Sequence, residues 1–414
     1  METQLFYPHI QWNGSKKFLL RFAIIFFGLL ILPILSPIAE DFYPWVGSAI
    51  LHLENPITVF PNGSGDTTYN YVEVLTCFVL GIIGASIWSI FNKKEKNYDT
   101  LMHWFLIFCR YYVGYSLILY GYSKVFCLQF PAPSLGRLLQ PYGESSPMGI
   151  AWTFIGASKA YGMFSGFAEL IGGLLLLFRR TAVLGSIFGF VVMFNVMMLN
   201  YCYDIPVKLY STQLVLLAFI IMLVMGHNTK VALIYNKPTE PIVFKPLFMK
   251  PWLKWSRVVI KSIVLFFIVF YGIYESFLSM NEYGSFAPKP ALYGIYKPTH
   301  LVKNSDTLRL YSDSTEWKYL VVDMYGASIR QLNDRKVRLV FEADTVKKII
   351  SMHEESDSIN VFHLTYKNLT DTTLQMSGIY KKDTIVFTLA KVNLNSFRLV
   401  NRGFHWVNEY PFNK

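Results

Sequence analysis

Seven long apolar segments constrain the fold of this chain more than any other feature of its sequence. Each is long enough to cross the roughly 30 Å hydrocarbon layer of a bilayer as a helix, which takes about 20 residues. Only 16% of the 414 residues are charged, whereas a soluble domain is about a quarter charged. The sequence therefore predicts an all-α polytopic membrane protein. The segments are residues 18–37, 72–92, 101–127, 150–178, 181–202, 209–226 and 258–280.

The basic residues between these segments are unevenly distributed. Residues 37–71 contain no Lys or Arg, whereas the stretches 16–17, 93–96, 179–180 and 227–257 are rich in them. Because Lys and Arg accumulate in cytoplasmic loops, seven spans place the N-terminus in the cytoplasm and the region after the last span outside. The net charge of +11 is then mostly a signal of topology, and we predict no nucleic-acid partner.

After the last apolar segment, the hydrophobic pattern changes from helical to alternating. Val337, Leu339 and Phe341 alternate with polar residues, which is typical of antiparallel strands with one buried face. We therefore predict an extracytoplasmic all-β domain over residues 290–414, built as a sandwich or an up-and-down barrel. Further runs of this kind lie at 317–324, 359–366, 372–379 and 385–389.

The chain ends in the aromatic-rich stretch RGFHWVNEYPFNK. Such a tail closes a sheet or docks on a neighbouring domain, or else its aromatic residues line a binding surface together with Arg402, His405 and Glu409. The sequence leaves these alternatives open. It divides the chain into an N-terminal part (1–100), a four-helix core (101–226), a basic loop with the seventh span and a tether (227–289), and the β domain (290–414).

Two charged residues lie deep inside the predicted spans. Arg110 is nine residues into the third segment and Glu169 is ten residues before Arg179, so both lie roughly 15 Å from the cytoplasmic boundary. A lone charge at this depth costs at least about 2.5 kcal/mol, and a mutual ion pair removes much of that cost. We therefore predict that Arg110 pairs with Glu169. The pair either fixes the helix register or serves a proton relay or a ligand site.

Small residues accompany these charges at helical spacing. Gly114 and Gly121 share a face with Arg110, while Gly166 and Gly173 share a face with Glu169. Small residues at such spacing let two membrane helices approach closely. The pattern predicts that the third and fourth spans pack against each other along these stripes.

A second polar cluster is expected near the outer surface. Its lysines would attract an anion or a lipid headgroup, or else they extend to the interface and one of them pairs with the aspartate of the turn. The sequence leaves both interpretations open. The candidate residues are Lys124, Lys159, Asn200, Tyr203, Asp204 and Lys208.

The four cysteines have no CxxC or metal-type spacing, so we predict no metal site. Cys127 and Cys202 both fall near the predicted outer face, where oxidation is feasible. They are candidate redox thiols that could form a disulfide, and the alternative is that they are reduced cysteines packed as small apolar residues.

The third and fourth segments resemble the DoxX family of bacterial membrane proteins. The resemblance lies in RYYVGYSLILYGYSKVF (Arg110, Gly114, Gly121, Lys124) and GFAELIGGLLLLFRR (Gly166, Glu169, Gly172, Gly173). It covers about residues 101–226 and implies a four-helix core, to which the other spans and the β domain are additions. It also implies a bacterial inner-membrane location, with the C-terminal domain in the periplasm. Chains so elaborated resemble DoxX-like proteins of Bacteroidota.

The resemblance implies a link to quinone oxidation, because some members of that family serve quinone oxidoreductases. The sequence shows no flavin or nicotinamide fingerprint and no pair of haem ligands within the spans, so quinone is the one cofactor it implies. Our first hypothesis is a protein that binds a quinone or a lipid in its core, with a redox partner if it is an enzyme subunit. The alternatives are an assembly subunit whose β domain binds a protein partner, and a role in transport or cargo handling.

Overall fold

The computed structural model describes residues 10–55, 57, 62–239, 250–308, 313 and 315–413. The chain forms two compact units that alternate along the sequence. The helical unit comprises residues 1–126 and 160–277, and the barrel unit comprises residues 127–159 and 278–414. Residues 240–249 of the basic loop predicted over 227–257 lie outside the described residues.

Helices dominate the first unit, and several begin with clear local signals. Asn13 caps α1 by accepting a hydrogen bond from the Lys16 backbone at 2.9 Å, and Thr67 forms a capping box with Asn70 at the start of α3. In chain order the α-helices of both units are α1 (Gly14–Ile31), α2 (Ser36–Trp45), α3 (Thr68–Phe91), α4 (Asp99–Val125), α5 (Leu135–Leu138), α6 (Pro147–Gly156), α7 (Lys159–Leu177), α8 (Ala182–Cys202), α9 (Lys208–Met225), α10 (His227–Leu233), α11 (Pro251–Phe266), α12 (Gly272–Glu282) and α13 (Arg398–Asn401). Of these, α5, α6 and α13 lie in the barrel unit. A π-helical turn follows α2 (Val46–Ile50), and another joins α11 to α12 (Phe267–Tyr271).

Five helical stretches among the described residues are long and apolar enough to cross a membrane: α3, α7, α8, α9 and the continuous stretch α11–α12. A sixth is obtained if α1 and the helix after it, which meet at a bend of 100°, count as one broken span. This finding confirms a helical membrane protein. The 27-residue helix α4 is not among the five, and it carries Asp99, Arg110 and Lys124 along its length.

Two predicted spans have different bounds in the structure. The first was expected over 18–37, but α1 ends at Ile31, two residues before Pro33, which cannot continue a helix without losing a backbone hydrogen bond. The fourth was expected over 150–178, but α6 ends at Gly156 and α7 begins at Lys159. A Cβ added to Gly156 would lie 2.2 Å from the carbonyl oxygen of Pro131, so α6 packs against the loop before it.

The barrel unit contains the predicted all-β domain. From β3 onward each strand pairs antiparallel with the next, and β1 pairs with both β3 and β9 to close an eight-stranded barrel, while the short β2 forms a hairpin with β1. The up-and-down barrel is therefore the correct one of the two predicted architectures. The strands are β1 (Gly294–Lys303), β2 (Asp306–Leu308), β3 (Trp317–Asp323), β4 (Gly326–Gln331), β5 (Lys336–Asp344), β6 (Ile349–Glu354), β7 (Phe362–Thr370), β8 (Thr373–Tyr380) and β9 (Asp383–Lys391).

Large apolar side chains fill the barrel interior, among them Leu320, Ile350, Leu364 and Met376. On the outside, the loop that includes α5 covers part of β1 and β3. Leu135 of α5 packs there against Ile295 and Val321. The alternation of the strands therefore produces a packed core, and the barrel is buried on its outer face where the loop docks.

The C-terminal tail neither adds a strand to the barrel nor is covered by it. Residues 402–413 are exposed, and Phe404, Trp406 and Tyr410 are 78%, 91% and 84% exposed. Arg402 lies over the ring of Phe412 at 4.1 Å from its centroid. The tail therefore presents an aromatic surface to its surroundings.

Candidate ligand site in the helical unit

Glycines bring α4 and α7 into backbone contact. A Cβ added to Gly114 would lie 3.1 Å from the carbonyl oxygen of Gly173, and one added to Gly121 would lie 2.9 Å from that of Gly166. Such distances leave little room for any larger side chain. The predicted stripes of small residues are therefore confirmed as the contact surface of these two helices, as expected for closely packed membrane helices.

A buried ion pair lies beside this contact. The ammonium of Lys124, on α4, donates a hydrogen bond to Oε1 of Glu169, on α7, and the two side chains are only 4% and 1% exposed. A Cβ added to Gly166 would lie 2.9 Å from the Cβ of Lys124. The missing side chain at Gly166 thus lets the lysine pass α7 and reach a residue three positions further along it.

The second oxygen of the Glu169 carboxylate, Oε2, has no such partner. It is buried and accepts no hydrogen bond from any of the described residues. Buried polar atoms nearly always have a partner, because leaving one unsatisfied costs about 1–3 kcal/mol. Oε2 is therefore a buried acceptor that the described residues leave without a donor.

The predicted pairing of Arg110 with Glu169 is wrong. Arg110 donates instead from Nε and Nη2 to the backbone carbonyl oxygen of Leu176, at 3.1 and 2.9 Å. Since residue 114 faces residue 173, Arg110 faces the end of α7. The depth estimate failed because it aligned the predicted ends of the two helices, whereas α4 begins about three turns beyond the end of α7.

A layer of hydrogen-bonded side chains lies further along α4. The Tyr210 hydroxyl donates to Oγ of Ser116 at 2.9 Å, and Gln213 Nε2 donates to the hydroxyl of Tyr112 at 3.4 Å. Both bonds join α9 to α4. Gln213 therefore forms a hydrogen-bonded link between helices.

The residues predicted for an outer-mouth site have separate partners. Lys124 is occupied by Glu169, while Lys208 pairs with Asp204 at 2.8 Å and with Asp66 at 3.7 Å. Both ammonium groups are thus already paired, and the Lys–Asp pair of the turn is present. Asn200 is buried and donates to the Val207 carbonyl oxygen at 3.3 Å. Tyr203 follows α8 and is 38% exposed, and Lys159 is an exposed residue of the barrel unit.

The four cysteines, all within the described residues, are reduced in this structure. Cys202 is exposed and Cys127 is half-buried, while Cys77 and Cys109 are buried. Of the two alternatives that the sequence left open for Cys127 and Cys202, the structure has the reduced cysteines. In the described parts of the chain, no group of three or more His, Cys, Asp or Glu side chains is placed to hold a metal ion.

Sequence reasoning missed two polar residues that hold the helices in place. Asp66 accepts hydrogen bonds from the backbone nitrogens of Lys208 and Leu209, at 2.7 and 3.0 Å, and so caps α9 from a distant loop. Arg21 is buried and donates to Ser89 Oγ at 2.6 Å and also to the hydroxyl of Tyr98. The residue before α9 is Val207, which cannot cap a helix with its side chain, so the sequence did indicate that another residue must cap α9. Arg21 gave no such signal, because basic residues commonly flank membrane spans.

Comparisons with known proteins give one clear relationship. No family model matches the chain, and no solved structure matches it. Over 115 residues, the chain is 35% identical to the uncharacterized protein YwoB of Bacillus subtilis (strain 168), a match that covers 27% of this chain and 71% of the relative. Because the match extends over more than two thirds of the relative, the chain belongs to the same family as YwoB.

Proposed function

We propose that the helical unit binds a small hydrophobic molecule, a quinone or a lipid, beside the Lys124–Glu169 pair. The observation that carries this proposal is the buried Oε2 of Glu169, which has no partner among the described residues. Lys124 neutralises the carboxylate, so a neutral apolar molecule can approach it without meeting a net charge. A hydroxyl group, as in a quinol or a lipid glycerol, would supply the hydrogen bond that Oε2 lacks.

Mass spectrometry of gently purified full-length protein tests this function. We expect a co-purifying quinone or lipid that is lost in the double variant Lys124→Met, Glu169→Leu. Removing both charges together avoids leaving one of them buried and unpaired, so this variant should still fold. Ser186→Ala is a matched control, because Ser186 is also buried in the bundle and donates a hydrogen bond to the Val183 carbonyl oxygen of its own helix at 2.8 Å. Equal amounts of bound molecule in all three proteins would refute the proposal.

We further propose that the protein has seven spans in a bacterial inner membrane, with the N-terminus cytoplasmic and the β domain periplasmic. The lysine distribution supports this orientation, and the resemblance to DoxX proteins supports the location and the four-helix core. The orientation can be tested by adding a membrane-impermeant maleimide to spheroplasts whose inner membrane is intact. The maleimide reports on Cys202, the exposed cysteine. We expect Cys202 to be labelled from outside, and labelling only after the membrane is opened would reverse the topology.

A quinone-linked redox reaction is an extension of this proposal. It would require a partner protein that exchanges electrons with the bound quinone, since the chain itself carries no flavin or nicotinamide fingerprint. Co-purification of a redox protein together with the quinone would support it, whereas a bound lipid alone would speak against it.

A second candidate function is supported by the exposed tail. An assembly subunit would bind an envelope protein through its β domain, and the uncovered aromatic residues Phe404, Trp406 and Tyr410 are of the type enriched at protein interfaces. The test is a pull-down of the full-length protein in which Trp406→Ser releases a stoichiometric partner. Ile359→Ser, at another strongly exposed apolar position of the barrel unit (89%), should leave that partner bound.

A further inference from the structure

The barrel unit contains a large groove that neither proposed function uses. Its volume is about 1460 Å³, above the range of roughly 300–1,000 Å³ that is usual for small-molecule pockets. The loop after α4, the tether after α12 and the outer face of the barrel form its walls. Tyr283, Tyr293 and Tyr325 contribute aromatic surface to the lining.

Basic side chains without carboxylate partners line this groove. Arg137 donates to the neutral acceptors Gln140 at 2.7 Å and Ser145 at 3.4 Å, and Lys289 lies over the ring of Tyr293 at 4.9 Å. Lys336 points toward the loop, since a Cβ added to Gly136 would lie 3.8 Å from its Nζ. Among the described residues, four of the six cations in the groove lining form no ion pair: Arg137, Lys159, Lys289 and Lys336.

Most of the acidic side chains in the groove are already engaged. Arg330 binds Glu144 at 3.3 Å and Asp334 at 3.0 Å, and Arg338 binds Glu355 at 3.5 Å. Asp323 accepts hydrogen bonds from the backbone nitrogens of Gly136 and Met324, at 3.3 and 2.9 Å. Glu342 is the remaining carboxylate of the lining. The lining holds six basic side chains and five carboxylates, so its net charge is +1.

The chain path brings the groove lining to the ends of membrane-length helices. Lys159 is the first residue of α7, and Tyr283 directly follows α12, and both helices belong to stretches long enough to cross a membrane. With α7 and α11–α12 as membrane spans, as proposed above, Lys159 and Tyr283 would lie at the ends of spans and therefore at the membrane surface. A molecule anchored in the bilayer can reach them with its headgroup while its acyl chains stay in lipid.

We propose that this groove binds the phosphate-bearing headgroup of an anionic phospholipid. The unpaired lysines and the arginine supply charge-assisted hydrogen bonds to the phosphate oxygens, and the tyrosines pack against the glycerol part of the headgroup. This site is separate from the one proposed beside Glu169 and does not depend on it.

The test uses the full-length protein in nanodiscs that contain either phosphatidylglycerol or phosphatidylcholine, followed by native mass spectrometry. The groove variant combines Lys159→Gln, Lys289→Gln and Lys336→Gln. The control variant makes the same change in charge at three exposed lysines of the barrel outside the groove: Lys347→Gln, Lys367→Gln and Lys382→Gln. All six positions are exposed, so both variants should fold, which the unfolding transition of each protein can verify.

We expect the wild type and the control variant to retain phosphatidylglycerol, and the groove variant to bind it at least about tenfold more weakly, because each basic residue near an anionic lipid adds severalfold to binding. Retention of phosphatidylcholine should not differ among the three proteins. Equal loss in the control variant, or no preference for the anionic lipid, would overturn the proposal. Saturation of the groove by inorganic phosphate alone at millimolar concentration would overturn the assignment to lipid and point to a soluble anion.

Discussion

Glu169 shows how a single side chain depends on its neighbours inside a helical bundle. Its carboxylate is 1% exposed, and Lys124 is its one ion-pair partner in the described structure. A buried charge without a counter-charge is strongly destabilising, whereas a neutral pair of similar volume is often tolerated. Lys124 therefore stabilises the fold mainly by neutralising the buried Glu169 carboxylate.

Lys124→Met should lower the free energy of unfolding by about 3–5 kcal/mol, because it leaves the Glu169 carboxylate buried and unpaired. The double variant Lys124→Met, Glu169→Leu should recover most of this loss. Unfolding of the detergent-solubilised protein, followed by circular dichroism, measures both. If the double variant is as unstable as Lys124→Met alone, the ion pair is not the source of the effect.

Asp334 gives a prediction about pH in the barrel. Hydrogen bonds from Lys318 and then from Arg330 lower the pKa of Asp334 from its usual 3.8. A carboxylate whose pKa is lower in the folded state contributes stability above the unfolded pKa, and this contribution disappears as the pH falls through the folded pKa. We therefore expect the barrel to lose stability below about pH 4, and Asp334→Asn to reduce that loss.

Hydrogen exchange of the barrel amides in the full-length protein, followed as a function of pH, measures this effect. Asp371→Asn is the matched control, because Asp371 is an exposed carboxylate in the turn between β7 and β8. A pH dependence that is unchanged by Asp334→Asn would contradict the prediction.

At the scale of elements, the contact between α4 and α7 positions the candidate site. Their glycines allow the backbones to approach, and this approach brings Lys124 within reach of Glu169. The sequence predicted this contact because small residues recur at helical spacing. It could not predict the offset of the helices along their axes, because apolar helix ends carry little information about where each helix begins.

Gly166→Ala should separate these two helices. The added Cβ would lie 2.7 Å from the carbonyl oxygen of Gly121 and 2.7 Å from the backbone nitrogen of Val125, and backbone atoms cannot move aside easily. We expect a loss of about 1–3 kcal/mol in unfolding free energy, together with weaker binding of any molecule beside Glu169. Gly28→Ala is the control, because a Cβ there meets nothing within 4 Å, and an equal loss in both variants would refute the steric explanation.

The strands show a similar limit of sequence reasoning. Those with one exposed face, such as β5 and β9, were predicted from their alternation. The first strand was missed because its outer face is also covered: Ile295 is fully buried against Leu135, so β1 does not alternate cleanly. A strand buried on both faces loses the period of two by which it is recognised.

At the scale of the whole molecule, the two units are interleaved along the chain. The sequence assigned residues 127–159 to the helical core, but the structure groups them with the barrel. Leu135 is 2% exposed, and the Leu139 carbonyl oxygen accepts a hydrogen bond from Arg330 at 2.9 Å. Contacts between residues nearly two hundred positions apart leave no trace in local hydrophobic patterns.

Leu135→Ala should loosen this loop from the barrel. The cavity left at a buried leucine costs about 2–5 kcal/mol, so we expect faster hydrogen exchange over residues 135–139 while the strands β6 to β8 stay protected. Tyr142→Ala, in the same loop but at a side chain that is 78% exposed, should leave exchange unchanged. Uniformly faster exchange across the barrel after Leu135→Ala would mean that the loop supports the entire barrel fold.

The interleaving also determines how this protein can be dissected. The polypeptide passes from one unit to the other three times, after residues 126, 159 and 277. A stop codon placed before β1 would therefore not yield an intact helical fragment. The fragment would still contain Leu135 and its neighbours, but it would lack the barrel surface on which they are buried. Gene truncations of this protein should be expected to aggregate or be degraded, and a lost phenotype in such a mutant would say little about what the barrel does.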